Sequence, residues 1–474
     1  MTARSLGLPL RRQQPFLPRM RDGRPAELAV AVAASLLGGC LLGVTGDWRA
    51  FAILGLAFFV TLGAVRPALF LALFLLVRPL LDDVGGATAG VPSANLAGGL
   101  GLALILATAL DVARRRRVTW PEAAPVFAIA LGVSAVSALQ ARVKLGAVVG
   151  LVPVTEFVRL AALFAAYVAA ANLFGTPERA RRLFLVVGLS GIVPAVLGIR
   201  EWINGPPVAQ GLGVGRVSGP FVSPVPFSTF LAVTALVLLF LPRGWLRPWA
   251  RIAAVLVICT PLVGTLTREG WFVFVAGVVV LGWRRHRRVV LAVALSVVAV
   301  VAFVPTVHDR VLPSSQATAS APPTYESWQW RRDNWRGLLE KWRASPVFGY
   351  GLRSTIYVNP RAPVNRQGQA GYAFEAHSLV VRLLVEGGVI LLVAFGAFFV
   401  VLLRSARRLA RDPWELQPLG KLLFALWAVL LVVSLSADDP LAGTATMMPL
   451  LALTGALDAA HRRAHQQARE RAVS

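Results

Sequence analysis

Apolar residues in this chain come in repeated blocks of about 15 to 25, separated by short Arg-rich or Gly/Pro-rich breaks. A hydrocarbon core about 30 Å thick is crossed by about 20 helical residues, and inside lipid a helix satisfies all of its own backbone hydrogen bonds. The blocks fall near 28–45, 49–65, 67–81, 94–113, 121–139, 148–173, 183–200, 226–242, 251–266, 270–283, 289–304, 378–403, 419–436 and 444–460. This pattern predicts an all-α, polytopic transmembrane helical bundle of about 12 to 14 spans. Composition agrees: 56% of the 474 residues are hydrophobic and 15% charged, against about 25% charged in a soluble domain.

A net charge of +25 would suggest nucleic acid in a soluble chain. Here the arginines sit between apolar blocks, as at Arg114 to Arg117, Arg179 to Arg182, Arg284 to Arg288 and Arg404 to Arg411. They read as a topology signal, and no nucleic-acid partner is expected. Alternate connections and both tails hold most of the Lys and Arg, whereas the other short loops carry Arg49, Arg78, Arg142, Lys144, Arg200, Arg216 and Arg268. By the positive-inside rule both termini are cytoplasmic, in a multi-pass protein of a bacterial-type cytoplasmic membrane in contact with its lipids. Cys40 and Cys259 both lie within apolar blocks and read as small buried hydrophobes, not as a disulfide or metal ligands.

The resulting division is a basic cytoplasmic tail over 1–26, helices 1 to 11 over 27–304, a large extracytoplasmic loop over 305–376, helices 12 to 14 over 377–460, and a second basic tail over 461–474. The first tail lacks the cleavage-site pattern of a signal peptide. Within the loop the polar stretch from Pro313 to Pro323 cannot span a membrane. Beyond it Trp328, Trp335, Leu338, Leu339 and Trp342 recur at near-helical spacing opposite Arg331, Arg332 and Arg336, which predicts an amphipathic helix along the membrane surface. Its tryptophans suit an interfacial belt, with stacking on sugar rings as the other reading. No G-x-x-x-x-G-K-[ST] loop is present, which argues against nucleotide hydrolysis.

Polar groups available at the outer face are few. His286, His461 and His465 sit in cytoplasmic Arg-rich segments, leaving His308 and His377 outside. His377 stands where the long loop re-enters the membrane, in reach of both water and a lipid-linked headgroup. Arg268 lies in the tight turn Gly264-Thr-Leu-Thr-Arg268-Glu-Gly270, and Arg216 in Gly215-Arg-Val-Ser-Gly219. A guanidinium among Gly and Ser/Thr, with exposed backbone N–H groups, suits a phosphate or diphosphate. Read one at a time, His377 also fits an interfacial anchor and each Arg a loop tether. Glu156 with Arg159, and Arg382 with Glu386, are spaced to pair on single helix faces. Ionisable groups in membrane helices are functional candidates, and Arg382 is close enough in sequence to His377 to serve the same headgroup.

Four segments in order, from Arg216-Val-Ser-Gly219 through Thr265-Leu-Thr-Arg268 and Pro346-Val-Phe-Gly349-Tyr-Gly351 to His377-Ser-Leu and Glu386-Gly387, resemble the O-antigen ligase-like membrane proteins. That group includes O-antigen ligases, polysaccharide polymerases and O-oligosaccharyltransferases. The resemblance implies a GT-C type glycosyltransferase that works without metal or cofactor on the outer side of the membrane. Its donor would be a glycan on undecaprenyl diphosphate, and its acceptor a hydroxyl of a lipid A-core sugar, a growing polysaccharide or a protein. His377 matches the family's essential histidine, and Arg268 and Arg216 match arginines at the donor diphosphate; Arg382 is added as a further donor contact. Ser378 stands where Asn is usual, Thr267 where Ser is common, and the apolar blocks exceed the twelve spans usual in the family.

The chemistry is coherent with that implication. Arginines remain protonated and can hold a departing diphosphate, while an imidazole, with an ordinary pKa of about 6.5, can take a hydroxyl proton near neutral pH. A transporter or flippase of lipid-linked glycan is the alternative, since it too has many spans and intramembrane charges. The one-sidedness of the polar groups and the lack of paired broken helices in matching halves favour the enzyme. A scaffold in polysaccharide export would explain the topology but not the His/Arg set.

Overall fold

The computed structural model describes residues 58–81, 93–206, 215–283, 287–304, 307–308, 328–360, 375–436 and 443–473. The basic tail over 1–26, the block at 28–45, most of that at 49–65 and the Pro313–Pro323 stretch lie outside them. Residues 58–61 are helical and belong to one unit, Met1–Thr61; the helical bundle belongs to the other, Leu62–Ser474.

Among the described residues there is helix and no β-strand. The helices are α1 Pro67–Val77, α2 Ser93–Arg114, α3 Ala124–Leu145, α4 Val152–Leu173, α5 Pro177–Leu189, α6 Ile192–Asn204, α7 Pro224–Phe240, α8 Pro248–Gly264, α9 Arg268–Gly282, α10 Arg287–Phe303, α11 Trp328–Arg343, the single turn α12 Thr355–Val358, α13 Leu379–Arg411, α14 Gln417–Val433 and α15 Thr444–Val473. Among the described residues four stretches are long and apolar enough to cross a membrane: Ala124–Val149, Val152–Leu173, Pro177–Asn204 and Leu379–Arg411. Pro67–Leu80, α7, α8 and α14 are shorter apolar helices. The chain is thus an all-helical membrane protein.

The helix starts arise from local chemistry. Proline stands in the first turn of α1, α3, α4, α5, α7, α8 and α14, where its missing N–H costs no helical bond. Thr176, Ser223 and Ser378 cap α5, α7 and α13, each hydroxyl accepting from an amide of the first turn.

Helix packing uses small residues, as expected where lipid removes the hydrophobic drive between helices. Gly270 and Gly277 of α9 lie so close to Ser228 and Leu236 of α7 that a β-carbon would have no room. Gly455 of α15 meets the carbonyl of Tyr167 in α4 in the same way. By contrast α10 buries none of its residues, so its apolar surface is free to face lipid.

The predicted blocks differ from the helices in three places. The block at 183–200 is two helices in one span, because the chain breaks at Ser190 and Gly191. The terminal stretch 461–474, read as a tail, continues α15 as helix to Val473. The predicted amphipathic helix forms as α11, but Trp330, Asn334 and Leu338 are buried and the helix packs on α13; Trp328 remains 63% exposed. Its apolar side is therefore partly an intramolecular surface.

The central feature is a break in α13. Gly388 has φ 64° and ψ −161°, a conformation that is essentially glycine's own. The helical ladder opens there, and the loop Pro346–Gly351 fills it. Tyr350 N donates to Val385 O at 2.8 Å and Gly351 N to Glu386 O at 2.7 Å, while Val389 N donates to Pro346 O at 2.9 Å. Ser137 Oγ and Gln140 Nε2 of α3 add bonds to Glu386 O and Gly349 O, at 3.0 and 3.1 Å. The carbonyls of Val385 and Glu386 and the amide of Val389 are thereby satisfied, as low-dielectric surroundings demand.

Beside the break lies a buried ion-pair cluster. Arg382 Nη2 donates to Glu156 Oε1 at 2.6 Å and its Nε to Glu386 Oε1 at 3.1 Å; Arg159 also pairs with Glu156. Thr355 Oγ1 donates to Glu386 Oε1 at 3.1 Å. The two same-face pairs expected from spacing therefore both form, and Arg382 joins them across α4 and α13.

Two variants test this arrangement. Gly388→Ala puts a β-carbon on the carbonyl of Val347 in a conformation that alanine resists, and should lower stability by about 3 kcal/mol, read as an earlier melt of the detergent-solubilised protein. Arg382→Leu strands Glu386 in the interior and should cost about 3–5 kcal/mol, with part recovered in the Arg382→Leu/Glu386→Leu double variant; equal melts for the two would refute the pairing.

Candidate functional site

His377 precedes the N-cap of α13 and has φ 48°, a left-handed conformation sustained only where the surroundings hold it. The hold is visible on both sides of it. Asn334 Nδ2 of α11 donates to Glu375 O at 3.1 Å and Trp335 Nε1 to Ala376 O at 2.7 Å, while Leu379 N donates to Ser434 O, just past α14, at 2.9 Å. The ring of Trp330 stands edge-on to the imidazole, centroids 5.7 Å apart. His377 itself is half-buried, with its Nε2 shielded from solvent, so its ring is constrained.

Glu375 is tied to Arg353, another left-handed residue with φ 63°. Burial works against the charge on Arg353, but the carboxylates of Glu375 and Glu156 outweigh it and raise its pKa above the ordinary value. A fixed cation thus anchors the chain two residues before His377.

The two arginine turns are one structure. Arg216 is buried, with Nε donating to Thr265 O at 3.0 Å and Nη2 to Thr267 Oγ1 at 2.7 Å. Val217 N donates to Gly264 O at 3.1 Å. From the other side Glu201, near the end of α6, accepts from Ser218 N at 3.1 Å and Gly219 N at 2.5 Å. Leu266, with φ 48°, makes the bend that delivers Arg268 as the first residue of α9, and Arg268 is exposed. A guanidinium at a helix N-terminus adds its charge to the helix dipole, which favours an anion.

Chain direction carries these turns to the end of the bundle where His377 lies. The Arg382–Glu156 pair sets the start of α4 beside the start of α13. The chain then runs through α4, reverses between Leu173 and Pro177 and returns over the span Pro177–Asn204 to Glu201. Glu201 grips the Arg216 loop, which grips the turn before Arg268. Further, α9 packs on α14, whose far end meets Leu379.

Of the four site residues expected from sequence, Arg268 is exposed and His377 half-buried. Arg216 and Arg382 are both buried and engaged with protein groups. Arg353, Glu375 and Glu201 are not apparent from the sequence. A Glu two residues before the histidine is legible as a charge, but its partner 22 residues away is not. Both departures from the family pattern keep the chemistry: Ser378 caps α13 as Asn would, and the Thr267 hydroxyl receives Arg216 as a serine would.

No curated protein matches the chain. A family model described as O-antigen ligase matches residues 252–396, under a third of the sequence, from within α8 to the middle of α13. That segment holds Arg268, the loop that fills the α13 break, and His377, while Arg216 lies before it. The segment that builds the constrained histidine and the exposed arginine is the one that matches, and over it the chain is similar to the O-antigen ligase family.

Proposed function

We propose that the protein is a metal-independent, inverting glycosyltransferase of the GT-C type. It transfers a glycan from undecaprenyl diphosphate to a hydroxyl of a lipid A-core sugar, a growing polysaccharide or a protein. It works at the outer side of the bacterial cytoplasmic membrane, with both termini in the cytoplasm. What supports this reading is that a half-buried histidine in a strained backbone and an exposed arginine at a helix N-terminus both fall within the O-antigen ligase match.

In this mechanism the acceptor oxygen attacks the anomeric carbon as the bond to the diphosphate breaks. His377 takes the hydroxyl proton, and undecaprenyl diphosphate leaves with the bonding electron pair. Arg268 and the first amides of α9 meet the charge that develops on the leaving group, where preorganised donors lower a barrier most. Arg216 holds the turn that aims Arg268. Arg382, through Glu386, and Arg353, through Glu375, hold the segment that aims His377.

The test is transfer in liposomes with EDTA present, using an undecaprenyl-diphosphate glycan and a mixed acceptor panel. His377→Ala should cut turnover about 10³-fold and Arg268→Ala about 10²- to 10³-fold, with melts close to wild type. Retained turnover in His377→Ala removes the base role. Movement of the donor between leaflets, with no undecaprenyl diphosphate released, would make the protein a transporter instead.

A further inference from the structure

Beyond its break at Gly388, α13 runs on to Arg411, about 35 Å of helical rise, so the residue that ends it lies far along the bundle from His377. That residue is Asp412, the C-cap of α13. Against it stands α15, whose His461 and His465 share one face by their spacing of four. His461 Nε2 lies 3.2 Å from Asp412 Oδ2 and 3.0 Å from His465 Nε2. One ligand atom from each of the three side chains falls within 4.8 Å of the other two.

Three lone-pair donors converge here with few protons to share. A single N–H can bridge the two imidazole nitrogens. Around a tetrahedral cation with bonds of about 2.0–2.1 Å, ligand atoms stand about 3.4 Å apart, close to the 3.2 and 3.0 Å that separate His461 Nε2 from Asp412 and His465. His461 is 4% exposed and its Nδ1 makes no hydrogen bond, so Nε2 carries all of its polar contact. The ring of Trp414 stands edge-on to it at 5.0 Å and sets its plane. His465 is exposed, which leaves an entry path and an open position for water.

The neighbouring positive charge is matched. Arg408 lies 2.6 Å from Glu122 and 2.9 Å from Asp458, and Arg462 lies 2.9 Å from the other oxygen of Asp458. Two imidazoles and one carboxylate suit a borderline divalent transition cation and do not suit Mg²⁺ or Ca²⁺, which prefer oxygen sets. We propose that Asp412, His461 and His465 bind one Zn²⁺-class cation that clips the end of α15 to the turn between α13 and α14. The site is separate from the transfer chemistry at His377 and stands whether or not that reading holds.

The test uses the full chain, purified in detergent without a histidine tag, stripped with EDTA and dialysed. Zn²⁺ is then followed by equilibrium dialysis, and Co²⁺ by the visible absorption of a low-coordinate ion. One ion per chain with a raised melting temperature is expected. His465→Ala, at an exposed position, should melt like the metal-free wild type and bind Zn²⁺ at least about a hundredfold more weakly; Asp412→Asn should also weaken it. No stoichiometric Zn²⁺ on the wild type, equal binding by His465→Ala, or Mg²⁺ competing at equal concentration would overturn the site.

Discussion

The fold turns on one broken helix. At Gly388 the backbone of α13 leaves the helical region, and the carbonyls of Val385 and Glu386 and the amide of Val389 are released among buried residues. The loop Pro346–Gly351 takes up all three, so its docking is a consequence of the break. The same contact draws in α3 through Ser137 and Gln140 and brings Thr355 onto Glu386. The loop Pro346–Gly351 is thereby seated on the helices by backbone bonds, which depend little on side-chain identity beyond the glycines.

On this seat the histidine becomes a positioned group. Leu338, Ala376, Val381 and Val385 form a small core, with Trp335, Trp342, Tyr350 and Val358 packed against it. That core clamps the residues immediately before α13, and His377 is held at positive φ between Trp335, bonded to Ala376, and the cap at Ser378. The ion pairs behind it, Arg353 with Glu375 and Arg382 with Glu156 and Glu386, fix both flanks of the same segment. Charge that is expensive inside a membrane protein is thus spent where geometry matters.

The arginine half of the site is organised by the same logic on other elements. Arg216 is the buried strut, Thr265 and Thr267 receive it, and Arg268 is the residue left facing outward. From the sequence Arg216 and Arg268 look alike, since each is an Arg among small polar residues in a short turn. Burial and hydrogen bonding separate them, and both depend on two loops 49 residues apart meeting. For Arg382 the spacing to Glu386 is legible, but its second partner, Glu156, comes from another helix.

Hydrophobic block length was enough to determine that the chain is helical and lives in a membrane, because the backbone in lipid has no other economical arrangement. Helix starts at prolines and capping hydroxyls, the pairing of Glu156 with Arg159 and of Arg382 with Glu386, and the prominence of His377 and Arg268 were equally local matters, readable from spacing and residue chemistry. The break at Gly388, the loop that heals it, the joining of two ion pairs into one cluster, and the sorting of arginines into buried struts and an exposed cation arise from contacts between residues far apart in the chain. Such contacts are selected by the simultaneous need to satisfy every buried polar group, a condition set by the folded molecule as a whole and not by any window of its sequence.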